Sequence, residues 1–239
     1  MPLLEVSHLS KDFGGLRAVS DLTFSLEEGE ILGLIGPNGA GKTTAFNLMS
    51  GFIAPTGGSV RLNGHDLIGL SPNAIVKRGI ARTFQVVKPF RKLTVLENVV
   101  LAAFLHDSHR ATATTEALRI LAMLGLTEKA HGYASDLTLA QQKRLEIARC
   151  LATRPRLLFL DEPMGGLNPT EVEAACDLVQ RVRDLAITVI LVEHHMRAIM
   201  KISNRVVVLH HGVKIADDTP AAIVRDPAVV TAYLGGGAS

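Results

Sequence analysis

Gly36-Pro37-Asn38-Gly39-Ala40-Gly41-Lys42-Thr43-Thr44 gathers three glycines, one lysine and two hydroxyls within nine residues. Glycines let successive backbone N–H groups turn inward around an anion, and the positive end of a helix dipole strengthens the cradle. The spacing fits G-x-x-x-x-G-K-[ST], a loop that holds a nucleoside triphosphate. Lys42 would reach the β and γ phosphates, and Thr43 would offer its hydroxyl to Mg²⁺. A second candidate stretch is Leu157-Leu158-Phe159-Leu160-Asp161-Glu162-Pro163, which ends an apolar run on two carboxylates. Ligands of open α/β sheets bind at the carboxyl ends of strands. There Asp161 would hold the nucleotide's Mg²⁺ through its water shell, and Glu162 would orient an attacking water.

Those groups need strands to aim them. Ile31-Leu32-Gly33-Leu34-Ile35 reads as a short buried strand before the glycine loop, and Ala45 to Met49 as a helix after it. Leu157–Leu160, Ile187–Val192 and Val206–Leu209 read as further strands, the first two apolar throughout, as in a parallel sheet covered on both faces. Glu171 to Asp184 is the crossover helix between the first two. Before the loop, Leu4, Val6, Val19, Leu22, Phe24 and Leu26 alternate with polar residues, which predicts antiparallel strands. Gly57 to Gly64 adds another short strand, with Pro55 and Pro72 marking loops. From Thr94 the pattern turns helical: Leu96, Val99, Val100, Ala103 and Phe104 share one face, and Leu118, Leu121, Met123, Leu124 and Leu126 follow. A third helix runs from Gln141 to Thr153. A hairpin at His210-His211-Gly212, a short helix over Pro220–Arg225 and a flexible glycine-rich tail over 235–239 close the chain.

Composition is that of an ordinary globular protein, with 47% apolar and 20% charged residues. A net charge of +2 gives no argument for nucleic acid, while a pI near 8.6 suits a surface close to anionic lipid. Two cysteines, Cys150 and Cys176, without ligand or framework spacing suit a reducing compartment. The N-terminus lacks the pattern of a secretion signal, and no apolar stretch nears the roughly 18 residues of a spanning helix. The paired histidines at 194–195 and 210–211 lack acidic or thiol partners at metal-ligand spacing.

Taken in order, these motifs resemble the ATP-binding subunits of ABC transporters over almost the whole chain. The resemblance implies a P-loop NTPase α/β core with an N-terminal antiparallel β-subdomain (core 1–86 and 157–234) and an inserted helical subdomain (87–156). It implies that Phe13 stacks on adenine with Val19 beside the ribose, and that Gln85 touches Mg²⁺ and the attacking water. His194 looks like the switch histidine that reaches the γ-phosphate. Leu137-Thr138-Leu139-Ala140-Gln141 is similar to the signature Leu-Ser-Gly-Gly-Gln, whose helix start caps the γ-phosphate held by an opposite subunit. Thr138 keeps a hydroxyl, Ala140 its N–H, and Gln141 matches. Ala140 adds a Cβ where the family has glycine, which implies weaker closure or slower turnover. Asn168 stands where many members have Asp.

Within the family, Gly166-Leu167-Asn168-Pro169-Thr170-Glu171, Ala81-Arg82-Thr83-Phe84-Gln85 and Ala232-Tyr233-Leu234-Gly235 look like the branch that powers uptake of branched-chain and other hydrophobic amino acids. The partners implied are a second ATP-binding subunit, transmembrane permease subunits docking near Gln85, Val87, Phe90 and Leu93, and indirectly an extracytoplasmic substrate-binding protein. The place implied is the inner face of the plasma membrane. An exporter subunit, and a soluble or regulatory ABC ATPase with little hydrolysis, are the alternative expectations.

Overall fold

The computed structural model describes residues 2–85 and 87–234; the expected tail over 235–239 lies outside them. In chain order the elements are β1 (Leu4–Phe13), β2 (Leu16–Leu26), β3 (Ile31–Ile35), α1 (Lys42–Met49), β4 (Gly57–Leu62), β5 (His65–Asp66), α2 (Pro72–Lys77) and β6 (Ile80–Arg82). Then follow α3 (Val95–Ala103), α4 (Arg110–Met123), α5 (Leu139–Ala152), β7 (Leu157–Asp161), α6 (Pro169–Asp184), β8 (Thr188–Val192), α7 (Met196–Ile202), β9 (Arg205–His210), β10 (Val213–Asp218), α8 (Pro220–Ile223) and α9 (Pro227–Leu234).

The alternation at the N-terminus forms a four-stranded antiparallel sheet, ordered β2-β1-β4-β5. Its register sets Leu4 between Leu26 and Leu62, and Val6 between Phe24 and Val60, so one face of the sheet is apolar. The second sheet has six strands, ordered β10-β9-β3-β8-β7-β6, parallel except for β10. Every residue of β3 and β8 is buried, because both faces are covered. Ile31 and Ile35 of β3 join the cluster that includes α3 to α7, whereas Leu32 and Leu34 face α1 and the antiparallel sheet. Neighbouring β7 splits the same way, Leu158 and Leu160 against Leu157 and Phe159.

Helices start where their capping residues stand. Thr94 and Glu97 form a reciprocal cap on α3, and Asn168 and Glu171 another on α6. This begins α6 at Pro169 rather than Glu171, and a similar cap begins α5 at Leu139 rather than Gln141. The helical apolar stripe differs slightly from expectation. Phe104 follows the last turn of α3 and is exposed, and Leu118 lies off the buried line Ala113, Ala117, Ile120, Leu121. Five elements are additional, among them the two-residue β5 (His65–Asp66) and α7 (Met196–Ile202). Strand β6 has only three residues, too few for a period; α2 begins on Pro72, a residue as suited to a first helical turn as to a loop, with Ser71 capping it; α9 extends the C-terminal segment beyond α8.

Candidate nucleotide and hydrolysis site

The glycine loop leaves the buried end of β3 and has no room for side chains at two of its glycines. A Cβ on Gly36 would lie 2.2 Å from the Leu209 carbonyl oxygen, and one on Gly41, at φ +96°, would lie 2.4 Å from that of Ala18. Lys42 is buried and folds back over the loop, donating from Nζ to the carbonyls of Gly36 at 2.7 Å and Pro37 at 2.9 Å. Burial lowers its pKa from the usual lysine value, and the charge of Glu162 opposes the shift. Thr43 is exposed and Thr44 half-buried at the start of α1.

Parallel pairing of β7 with β8 sets Asp161 opposite Val192, so both carboxylates and the loop after β8 reach the same end of the sheet as the glycine loop. Glu162 turns sharply at φ +47°, held by its N–H to Val192 O at 3.0 Å and by Lys143 Nζ donating to its carbonyl at 2.6 Å. Its carboxylate is bracketed. Gln85 Nε2 donates to Oε2 at 3.1 Å, and His194 Nε2 lies 3.1 Å from Oε1. A carboxylate only accepts, so this geometry assigns the proton to His194 Nε2. Thus Gln85, Glu162 and His194, spread over more than a hundred residues of sequence, form one hydrogen-bonded group.

Asp161 is largely covered; its N–H donates to Thr83 Oγ1 at 3.0 Å, and Arg82 Nη2 lies 3.4 Å from Oδ2. Burial pushes its pKa above the usual carboxylate range, Arg82 opposes this, and the charges of Glu162 and Glu193 add to it. Oxygen donors at Thr43, Asp161 and Gln85 suit a hard cation. Among the described residues no group of three or more His, Cys, Asp or Glu side chains is placed to hold a metal unaided. A magnesium ion here would therefore share its shell with phosphate and water, which is its usual preference.

Thr138 caps α5: its N–H donates to Gln141 Oε1 at 3.0 Å, and its Oγ1 accepts from Gln141 N at 3.4 Å, so among the described residues the hydroxyl proton has no acceptor. Ala140 is buried in the first turn. Among the described residues no hydrogen bond joins Thr138, Ala140 or Gln141 to the glycine loop of the same chain. Phe13 is 49% exposed, with Lys11 Nζ 5.1 Å from its ring centre. The expectation for Val19 is corrected: its side chain is fully buried under the antiparallel sheet and offers no surface to a ribose. Instead Ala18, one residue earlier, turns its carbonyl toward Gly41.

Three groups escaped the motif reading. Glu193, 2% exposed, accepts from Met164 N at 2.6 Å and His194 N at 3.0 Å, anchoring the loop after β8 to the segment after Glu162. Arg82 is largely covered between the end of α1 and Asp161. Glu146 lies buried on α5 between Leu145 and Ile147 and accepts from Phe84 N at 3.2 Å; a charge on the apolar side of that helix was the available signal. Desolvation pushes Glu146 up to about 7. Below about pH 4.5 the carboxyl is protonated in native and unfolded chains alike, so it has no effect. As pH rises from there to about 7 only the native state keeps the proton, and stability falls. Glu146→Gln, which retains an acceptor for Phe84, is expected to raise Tm by ~3–6 °C at pH 8 and by far less at pH 5. Thermal melts at both values check this, and an equal gain would assign the effect to packing.

A glycine loop at one end of a parallel sheet, with a paired Asp-Glu strand end and a bracketed glutamate beside it, defines a phosphate-loop ATPase. The ABC transporter family matches residues 19–165, and a C-terminal family described as branched-chain amino acid ATP-binding cassette transporter matches residues 213–239. The chain is 44% identical to the high-affinity branched-chain amino acid transport ATP-binding protein BraF of Pseudomonas aeruginosa, over 98% of both chains. It is 33% identical to BraG, another such protein of that organism, over 98% of this chain and all of that one. Among solved structures, the ADP conformation of MJ1267, an ATP-binding cassette of an ABC transporter, superposes with a TM-score of 0.89 at 28% identity, covering 98% of this chain and 99% of that one. The chain belongs to the ABC transporter family, as one of its ATP-hydrolysing subunits.

Proposed function

We propose that this chain binds and hydrolyses ATP to power import of branched-chain or related amino acids through separate membrane subunits. The observation that carries the chemistry is Glu162 held between Gln85 and His194. In this reading Gly36 to Thr44 wrap the phosphates and Phe13 stacks on adenine. Lys42 leaves the Gly36 and Pro37 carbonyls to meet the β and γ phosphates. Thr43 and Gln85, with Asp161 through the water shell, would hold Mg²⁺, which would supply charge neutralisation. Glu162 orients the water, and His194, already protonated at Nε2, turns to hold the γ-phosphate.

Thr138, Ala140 and Gln141 serve a phosphate bound to a second subunit, which agrees with their separation from the chain's own loop. The methyl of Ala140 slows that closure. BraF and BraG, two such proteins in one organism, favour a heterodimer. No helix among the described residues is long and apolar enough to cross a membrane; in this reading the translocation path belongs to permease subunits. Support for their docking place comes from a groove of about 800 Å³ lined by Phe52, Arg82, Phe84, Gln85, Glu146 and Arg149. Three exposed aromatics, Phe52, Phe84 and Phe90, lie in or near that region. In this reading the chain works on the inner face of the plasma membrane, with an extracytoplasmic binding protein delivering cargo from the other side.

Deleting the gene in the organism of origin is expected to abolish uptake of labelled leucine, and the wild-type chain but not Glu162→Gln should restore it. Undiminished uptake in the deletion strain, or full rescue by the variant, rejects the reading.

A further inference from the structure

Arg82 ends β6 at the floor of the groove, and its side chain is only 11% exposed. Three rings surround the guanidinium: its carbon lies 4.9 Å from the centre of Phe46, 4.8 Å from Phe52 and 4.9 Å from Phe84. Its nitrogens point to separate parts of the site. Nη1 donates to Asn47 Oδ1 at 2.8 Å and Ser50 Oγ at 2.9 Å, the last turn and end of α1; Nε donates to the Thr83 carbonyl at 3.4 Å; Nη2 faces Asp161 Oδ2 at 3.4 Å. One planar fork thus joins the helix that carries Lys42 and Thr43 to the strand end that carries Asp161.

The contact with Asp161 is longer than the 2.7–2.9 Å typical of a charge-assisted bond, whereas both bonds to α1 are short. Arg82 is therefore fixed to α1 and loosely coupled to Asp161. The walls of the cage differ as well. Phe46 is fully buried, but Phe52 is 56% and Phe84 44% exposed, and both line the groove. Their rings meet edge to face at 5.6 Å, so a body entering the groove presses on the pair that flanks the guanidinium. Phe84 also precedes Gln85, whose amide holds Glu162.

We propose that Arg82 is a positioning residue that sets Asp161 relative to the start of α1 for the metal-bound nucleotide, and that Phe52 and Phe84 make this setting responsive to what fills the groove. The second half rests on the permease reading of the groove; the first does not.

Arg82→Lys tests the first half, because it keeps the charge and loses the fork, while Arg82→Ala endangers the fold by emptying the cage. On the full chain, two readouts are followed: the Mg²⁺ concentration giving half-maximal ATPase, and the affinity of the protein–ATP complex for Mn²⁺, measured from the free-ion EPR signal. Both are expected to weaken by about 10-fold or more in Arg82→Lys, the range for groups that orient metal-facing ligands, with ATP affinity in EDTA unchanged. A variant that melts earlier but keeps wild-type Mg²⁺ and Mn²⁺ dependence overturns the role.

Phe52→Ala and Phe84→Ala leave every hydrogen bond of the guanidinium in place. A shift of about 2–5-fold in both readouts is expected from each, the size of one cation–π contact. Unchanged values there overturn the aromatic half. A wild-type chain whose ATPase ignores Mg²⁺ would instead sink the functional reading, which keeps the two failures apart.

Discussion

Glu162→Gln is expected to lower ATPase turnover by about 10²–10³-fold while ATP binding survives, the loss typical of removing one group aimed at developing charge. The geometry makes the change doubly damaging. Glu162 accepts from Gln85 on one oxygen and from His194 on the other. A glutamine keeps one acceptor and presents an NH₂ in place of the second. If Gln85 retains its bond, that NH₂ faces His194 Nε2, which must give up its proton to accept it. The imidazole then has no proton at Nε2 for a γ-phosphate. The variant should therefore bind ATP and stall as a dimer, seen by sedimentation with and without nucleotide beside initial-rate assays. Turnover within about threefold of wild type would remove Glu162 from its assigned role.

The second large effect is expected at Lys42. Lys42→Met keeps the volume and apolar stem of a buried side chain but removes its charge and its bonds to Gly36 and Pro37. ATP affinity and kcat/KM should each fall about 100-fold or more, because Lys42 is the one cation in the loop Gly36–Thr44 and, in the proposed reading, meets the β and γ phosphates. The buried ammonium has its pKa depressed by desolvation, so the native chain already bears a penalty that bound phosphate relieves. Melting of the nucleotide-free variant should consequently stay close to wild type, while the stabilisation that saturating ATP gives wild type disappears. Fluorescent-nucleotide titration and paired melts measure both. Unaltered affinity would mean that the loop binds its ligand without its lysine.

Legibility followed how local each signal is. The glycine loop, the Asp161-Glu162 pair and the runs Ile31–Ile35 and Thr188–Val192 carry their chemistry within a few residues, so spacing alone located them. Gln85 and His194 were found through their order around those motifs, but a one-dimensional reading could not show that both end on the same carboxylate. Val19 belongs to the alternating apolar set of β2, which turns it inward; its place beside a ribose rests on the family resemblance alone, and its burial under the sheet overrides that. Arg82 was read within a motif string and its neighbours as pattern; its cage draws on residues 46, 52 and 84, three separate segments. Glu146 showed a charge inside an apolar helix face, a signal present but unused.

The order of strands in the larger sheet also governs when the site can exist during synthesis. Strand β3, which launches the glycine loop, has no partner among its sequence neighbours; it lies between β8 and β9, and Ile31 N donates to Asn204 Oδ1 across 173 positions. A nascent chain therefore carries its phosphate loop for most of translation without the strands that hold it. Pairings of such long range form late and slowly. Nucleotide capture thus waits until β9 has left the ribosome, and a chain cut short before that point has the sequence of the loop without the strands that grip it.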